Sequence, residues 1–184
     1  GDEPTTDKCS AIMGCPPGQN ERIILGNAAA VDKNLPFQHL QKFGINFLSR
    51  FEVVTCDSPI LEKVTFIDTP GVLAGDKQRL HRDYDFPMVI RQFGSTASMI
   101  LVIFDAHKLD VSDEMRETLL ALKGYEDKLY IVLNKADNLS SQSLLRVYGS
   151  LMWSLGRVFS APEALRVFIG SFWNEPYRNE DNRK

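Results

Sequence analysis

Short apolar runs alternate along the chain with stretches in which apolar residues recur at helical spacing. The runs are strand-length and rich in Ile, Val, Leu and Phe, which favours buried β-strands. The predicted strands cover residues 8–13, 22–25, 64–67, 99–104, 129–133 and 166–169. Because such strands alternate with helices, the pattern predicts an α/β domain on a mostly parallel sheet that helices cover on both faces. Ligand sites in such domains lie at the carboxyl ends of strands.

Helical spacing and helix-end signals predict three helices. The first lies within residues 37–51, where the repeating residues are Phe37, Leu40, Phe47, Leu48 and Phe51. The second begins after Ser112, which can cap it, carries acidic residues in its first turn and ends at Gly124. The third covers residues 140–160, and Pro162 follows it.

The helix over residues 140–160 is amphipathic, and its apolar face is expected to pack on the sheet. That face holds Leu144, Val147, Tyr148, Leu151, Leu155, Val158 and Phe159. Trp153 falls on the opposite, polar face near Arg146 and Arg157. A large indole among arginines leaves apolar surface in water unless a partner covers it, so we expect an interface at Trp153. The alternative is a lone exposed aromatic residue, which is common.

Composition and charge narrow the class of protein. Apolar residues make up 43% of the chain and charged residues 24%, which indicates one ordinary globular domain over residues 1–184 rather than disorder. The net charge of −3 gives no support for nucleic-acid binding. Three cysteines without paired metal spacing indicate a reduced, cytosolic chain, and no membrane-spanning helix or signal peptide is predicted.

The first motif with chemistry is V-T-F-I-D-T-P-G, which carries Asp68 and Gly71 directly after an apolar strand. A carboxylate in this position can reach a magnesium ion through water, because Mg²⁺ prefers oxygen ligands. Gly71 can offer its backbone N–H to a terminal phosphate without a side chain in the way. The alternative is a simple turn, since Asp, Pro and Gly are turn formers.

The second motif is N-K-x-D, which follows another apolar strand and consists of Asn134, Lys135 and Asp137. The carboxylate can accept two hydrogen bonds from a purine edge, the lysine stem can lie along the base, and the asparagine can join neighbouring loops. The alternative is an ordinary polar loop. Both motifs in this order, each directly after an apolar strand, favour a nucleotide-binding site.

Thr6 becomes a candidate catalytic residue because of these two motifs. Its hydroxyl and carbonyl can complete a magnesium shell and hold the attacking water, although Thr5 and Thr6 can equally form a turn before the first strand. Phosphoryl transfer also needs a G-x-x-x-x-G-K-[ST] loop, yet none of the 12 glycines is followed by lysine. We therefore expect a leading strand, a phosphate loop and a first helix to precede Gly1.

Several further stretches extend the two motifs, and they read EPTTD, FIDTPGVLAGDKQR, YDF, FDAHKLDVSDE, VLNKAD, LLRVYGSLMWSLGRV and IGSFW. These stretches resemble the nucleotide-binding domain of the EHD family, the EH-domain-containing, dynamin-like ATPases that remodel endosomal membranes. The resemblance covers nearly the whole chain and implies a dynamin-like G domain, a P-loop NTPase-type fold of three αβα layers without its leading strand and phosphate loop. It places a helical membrane-binding region and an EH domain outside this chain.

The resemblance also implies the ligands and partners. The N-K-x-D loop, which we call the base loop, suits guanine. The family nevertheless uses Mg²⁺ and ATP. The segment around Trp173 would then help to enclose adenine. Trp173 could instead close the core by packing. The family dimerises around the tryptophan matching Trp153, so the resemblance implies a homodimer. It also implies a cytoplasmic protein, peripheral to endosomal or plasma membranes, that acts in endocytic trafficking.

Hydrolysis is expected to be slow, because Val72 rather than a glutamine follows Gly71 and Thr6 is then the best candidate to position water. Without a phosphate loop, the chain by itself is expected to bind no cofactor and to be inactive. Two alternatives stay open, a Ras-like GTP-binding switch and an interaction module that does not bind nucleotide.

Overall fold

The structure is a computed structural model that describes residues 8–15, 18, 20–72, 82–109, 111–160 and 165–172. The chain divides into two compact units, unit 1 being Gly1–Val89 and unit 2 being Ile90–Lys184. Each unit contains one β-sheet. Thr6 and Trp173, two of the predicted site residues, lie outside the described residues.

Unit 1 is built on a four-stranded sheet in the order β2-β3-β1-β4. Its strands are β1 (Cys9–Gly14), β2 (Arg22–Leu25), β3 (Phe51–Cys56) and β4 (Phe66–Asp68). The central strands β1 and β3 are parallel, whereas β2 pairs antiparallel with β3 and β4 pairs antiparallel with β1. Two short helices, α1 (Gly26–Ala29) and α2 (Gly44–Leu48), belong to the same unit.

The predicted helix over residues 37–51 is wrong at its carboxyl end. The structure has a 3₁₀ helix, Gln38–Phe43, then α2, and Phe51 begins the buried strand β3. Gly44 adopts a positive φ of 75°, which interrupts the helical path at the junction. Phe51, Val53 and Thr55 are buried on one face of β3, and this alternation with a period of two is the strand signal that the helical reading of Phe51 overlooked.

Aromatic side chains form the centre of unit 1. Phe47 of α2 is fully buried, and its ring centroid lies 5.6 Å from that of Phe43, 5.8 Å from that of Phe51 and 5.3 Å from that of Tyr84. Phe37 is also buried and packs edge-on against Phe51 at 5.2 Å. Edge-to-face and offset ring pairs add to the free energy gained by burial, so these rings fix α2 against the sheet.

Unit 2 is built on a three-stranded parallel sheet in the order β5-β6-β7. Its strands are β5 (Ile100–Asp105), β6 (Leu129–Asn134) and β7 (Arg166–Ile169). Two helices accompany it, α4 (Asp113–Ala121) and α5 (Ser141–Gly156), while α3 (Phe86–Thr96) contains the boundary between the units. Three of the strand pairings along the chain are parallel, β1 with β3, β5 with β6 and β6 with β7, which agrees with a mostly parallel sheet.

The predicted starts of α4 and α5 are confirmed, but both helices end earlier than predicted, α4 at Ala121 rather than Gly124 and α5 at Gly156 rather than residue 160. The Ser112 hydroxyl accepts a hydrogen bond from the Met115 N–H at 3.2 Å, and the Ser140 hydroxyl accepts one from the Ser143 N–H at 3.3 Å. Gly124 has a φ of 95°, which explains why the chain turns there. Helix α3 was not predicted. None of the helices in the described part of the chain is long and apolar enough to cross a membrane.

Replacing Phe47 with alanine should lower the free energy of unfolding by about 3–5 kcal/mol, because the substitution leaves a cavity beside the rings of Phe43, Phe51 and Tyr84. Chemical denaturation measures this loss. Ile45 of the same helix is 69% exposed, so Ile45→Ala is the matched control and should change the free energy by less than about 0.5 kcal/mol. Equal losses for the two variants would contradict the packing described for α2.

Candidate nucleotide-binding site

The carboxyl ends of β5, β6 and β7 lie at one edge of their sheet, because the three strands are parallel and in register. Backbone hydrogen bonds continue past these ends. The Ala106 N–H donates to the Asn134 carbonyl at 2.8 Å, the Gly170 N–H donates to the Leu133 carbonyl at 3.0 Å, and the Ala136 N–H donates to the Gly170 carbonyl at 3.2 Å. We call the joined residues 105–107, 134–138 and 170–172 the three-loop cluster.

Asn134, the last residue of β6, ties this cluster together. Its side-chain oxygen accepts hydrogen bonds from the Lys135 N–H at 2.8 Å and from the Phe172 N–H at 2.9 Å. The prediction that this asparagine joins neighbouring loops is therefore confirmed. Lys135 adopts a left-handed φ of 61°, and its N–H reaches the Asn134 side chain in this conformation.

Asp137 is buried, with only 6% of its surface exposed. The Ser171 hydroxyl donates to the Asp137 Oδ1 at 2.7 Å and accepts a hydrogen bond from the Asp137 N–H at 3.0 Å. This pair of bonds fixes the direction of the carboxylate within the three-loop cluster. Sequence reasoning named the segment around Ser171 for its aromatic residues and missed the serine, whose signal is its place two residues after an apolar strand.

Lys135 forms an ion pair within the three-loop cluster. Its Nζ lies 2.5 Å from the Oδ2 of Asp105, the last residue of β5. Burial of Asp105 acts to raise the pKa of its carboxyl, but the hydrogen bonds from Lys135 and from the His107 N–H, together with the charges of both residues, outweigh it and lower the pKa. The ionised carboxylate is thus the form that the folded protein favours.

Asp68 and Gly71 belong to unit 1. Asp68 is the exposed last residue of β4 and pairs with Ser10 of β1. Its carboxylate oxygens are the kind of ligand that Mg²⁺ prefers. Burial and the nearby charge of Asp68 raise the pKa of the Cys9 thiol to about 12. The Gly71 carbonyl accepts a hydrogen bond from the Arg82 guanidinium at 2.8 Å, which holds the backbone of the D-x-x-G motif.

The predicted site residues thus fall into two described groups. Asn134, Lys135 and Asp137 lie together in the three-loop cluster of unit 2, whereas Asp68 and Gly71 lie in unit 1. Among the described residues no three His, Cys, Asp or Glu side chains are grouped so that they could hold a metal ion.

Comparison with solved structures shows the fold class. The chain resembles one chain of an oligomerised bacterial dynamin pair with a TM-score of 0.60 and 17% sequence identity, over 93% of this chain and 29% of that chain. A second such match has a TM-score of 0.58 over 90% of this chain. The fold is that of dynamin-like proteins, and the predicted fold class is confirmed. No protein-family model matches the chain.

Comparison with curated proteins identifies the family within this class. The chain is 52% identical over all its 184 residues to EH domain-containing protein 3 from Homo sapiens. It is 50% identical over the same length to EH domain-containing protein 1 from Bos taurus and to EH domain-containing protein 2 from Rattus norvegicus. The chain belongs to the EHD family. It spans about a third of the length of these relatives, 34%, 34% and 33% respectively.

The ion pair of Asp105 should contribute to stability in a pH-dependent way. Because folding lowers the pKa of Asp105, its contribution is fully present above the ordinary Asp pKa of about 4 and is lost as the pH falls through the folded value. Asp105→Asn should therefore lower the free energy of unfolding by about 0.5–1 kcal/mol at pH 7, a range suited to a partly exposed pair.

Urea denaturation between pH 7 and pH 2 measures this difference. Asp127→Asn, which neutralises an exposed acid before β6, serves as the control and should show a difference near zero throughout. A gap between wild type and Asp105→Asn that widens on acidification would contradict the assignment.

Proposed function

We propose that the chain is the nucleotide-binding part of an ATPase that remodels membranes. The observation that supports this most directly is the three-loop cluster, in which Asn134 holds the loops after β6 and β7 and Ser171 directs the Asp137 carboxylate. Asn, Lys and Asp of one short motif are brought to the carboxyl edge of a parallel sheet, where ligands of α/β domains bind. In this proposal Asp137 accepts hydrogen bonds from the base and the stem of Lys135 lies along it.

Two nucleotides, ATP and GTP, are candidate ligands for this site. A carboxylate such as that of Asp137 suits guanine, which offers two adjacent N–H donors, whereas adenine offers a donor and an acceptor. The resemblance to the EHD ATPases favours adenine, with Trp173 contributing an aromatic surface beside the base. A Ras-like GTP-binding switch is the second candidate, and the N-K-x-D motif itself is the observation in its favour. Competition between ATP and GTP for the full-length protein separates the two candidates.

The proposed hydrolysis relies on residues of unit 1. Asp68 would hold Mg²⁺ through water, and the Gly71 N–H would contact the terminal phosphate. Thr6 would complete the metal shell and orient the attacking water. The bound ion would neutralise charge that develops on the phosphates. Arg82 helps to keep Gly71 in place, since its guanidinium also lies 4.0 Å from the ring centroid of Phe86. No glutamine follows Gly71, so turnover is proposed to be slow.

The membrane role is proposed for the full-length protein. The bacterial dynamin pair that shares this fold is described as oligomerised and as sensing and tethering membranes over long range. The resemblance to the EHD family supports the further proposal that the full-length protein acts from the cytoplasmic side on endosomal or plasma membranes during endocytic trafficking. Contact with lipid is assigned to regions outside this chain.

We propose that the protein forms a two-fold dimer with Trp153 near the axis. Trp153 is 75% exposed, and its neighbours Arg146, Gly149 and Arg157 on the polar face of α5 are exposed as well. The opposite face packs inward, since Leu151 and Leu155 are fully buried. In a two-fold interface each patch meets its own copy, and a large exposed aromatic residue is the kind of side chain that anchors such a contact.

Nucleotide binding is tested first. The chain of 184 residues contains no Gly-Lys pair, so it should bind ATP weakly or not at all, whereas the full-length protein should bind Mg²⁺ and ATP. In the full-length protein, Thr6→Ala and Asp68→Ala should lower ATP turnover at least about tenfold, through lost metal and water positioning, with little change in melting temperature. Calorimetry and phosphate release measure the two effects.

Asp57→Ala is the matched control for Asp68→Ala. Asp57 is an exposed acid directly after β3, and the end of β3 pairs with Gly14 at the carboxyl end of β1. Asp68 pairs with Ser10, near the amino end of β1, so the two acids lie at opposite ends of that strand. The control should turn over ATP at the wild-type rate. Micromolar ATP binding by the 184-residue chain, or wild-type turnover by Thr6→Ala, would contradict the roles assigned here.

The dimer has its own test. Trp153→Ala in the full-length protein should shift the mass measured by light scattering from dimer toward monomer, with a dissociation constant raised at least about 30-fold, the effect expected when a hot-spot residue is truncated. Ile45→Ala, which removes an apolar side chain of similar exposure from α2, is the control and should leave the mass unchanged. Equal masses for wild type and Trp153→Ala at the same concentration would show that Trp153 is not the anchor.

A further inference from the structure

Asp105 is the acidic residue that contacts the base-loop lysine. The Asp105 Oδ2 lies 2.5 Å from the Lys135 Nζ, and the two side chains retain 29% and 47% of their exposure. The pair joins the loop after β5 to the loop after β6, residues 30 positions apart in sequence. It therefore links a residue outside the N-K-x-D motif to the side chain that is proposed to lie along the base.

The position of Asp105 is fixed by its surroundings. It is the last residue of β5 and stands opposite Asn134 in the parallel register. Its second carboxylate oxygen accepts a hydrogen bond from the His107 N–H at 2.8 Å, and its carbonyl accepts one from the Lys108 N–H at 3.1 Å. One oxygen is thus used to shape the loop, and the other is directed at Lys135.

The Lys135 side chain has more conformational freedom to lose on ordering than the Asp105 side chain has. Its side chain has four rotatable bonds, and ordering such a chain costs up to about 2 kcal/mol of rotamer entropy. Its backbone is already set, since its φ is 61° and its N–H is bonded to the Asn134 side chain. An anchor for the ammonium group would restrict the stem before a ligand arrives, and this restriction is how preorganisation improves affinity.

We propose that Asp105 is a positioning residue for the base of the bound nucleotide, because its carboxylate holds the Lys135 ammonium and keeps the lysine stem in place beside the base. This inference rests on the proposed nucleotide-binding function and adds to it a residue of β5 outside both motifs. Asp105 itself need not touch the nucleotide, and its effect passes through Lys135.

The test compares ligands with and without a base. Asp105→Asn keeps the shape of the side chain and one oxygen for the His107 N–H but places neutral amide atoms against the ammonium. In the full-length protein, this variant should bind ATP about three- to tenfold more weakly than wild type. Inorganic tripolyphosphate, which lacks a base, should bind both proteins with the same dissociation constant. Calorimetry with Mg²⁺ measures both ligands.

A double-mutant cycle tests whether the effect passes through Lys135. Lys135→Met keeps most of the stem and removes the ammonium group, so adding Asp105→Asn to Lys135→Met should cause no further loss of ATP affinity. Asp127→Asn supplies the control for a lost negative charge, because this exposed acid precedes β6 at the opposite end of the strand. It should bind ATP like wild type.

Each outcome has one meaning. ATP binding by Asp105→Asn that equals or exceeds wild-type affinity overturns the inference, and so does an equal loss for ATP and tripolyphosphate, which would indicate a general structural effect. A loss of the same size that persists in the Lys135→Met background also overturns it. Failure of the wild-type full-length protein to bind ATP overturns the proposed function, and with it the inference, and is recognised because it affects wild type itself.

Discussion

Three parallel strands that end at the same edge of one sheet are the constraint on which the candidate site depends. Asn134 stands at the end of the middle strand and takes part in three hydrogen bonds there, its carbonyl with the Ala106 N–H and its side-chain oxygen with the N–H groups of Lys135 and Phe172. An asparagine can do this because its side-chain oxygen has two lone pairs. The loops that would surround a base are thereby set by the sheet rather than by the ligand.

The apolar strands make this arrangement possible. Leu129, Ile131 and Leu133 of β6 are fully buried, so the backbone of the middle strand has little freedom to shift along its neighbours. Polar chemistry begins only where the apolar run stops, at Asn134. In unit 1 the same division holds, since Ala11 and Val53 are buried in the paired strands β1 and β3 while Asp68 is exposed at the end of β4. Membership of the EHD family and a dynamin-like fold agree with this plan.

Much of the fold could be predicted from local patterns, but not all of it. Strand β6 and helix α5 were predicted because their apolar spacing and caps are local signals. Strand β3 was missed because Phe51 continues a helical spacing begun at Phe37, which masked the period-two alternation of Phe51, Val53 and Thr55. Pairing with β1 shows which of the two patterns applies. Helix α3 was missed because its sequence, FPMVIRQFGST, mixes helix formers with glycine and β-branched residues.

The candidate site divides in the same way between local motifs and contacts that form across the sheet. The sequence determined the types and order of the motif residues, Asp68 and Gly71 after one strand and Asn134, Lys135 and Asp137 after another, because each motif is local and follows an apolar run. The places of Ser171 and Asp105 beside apolar strands are visible in the sequence, but their partners, Asp137 and Lys135, are not. Those contacts join residues about 30 positions apart, and they exist only because parallel pairing brings the ends of β5, β6 and β7 to one edge.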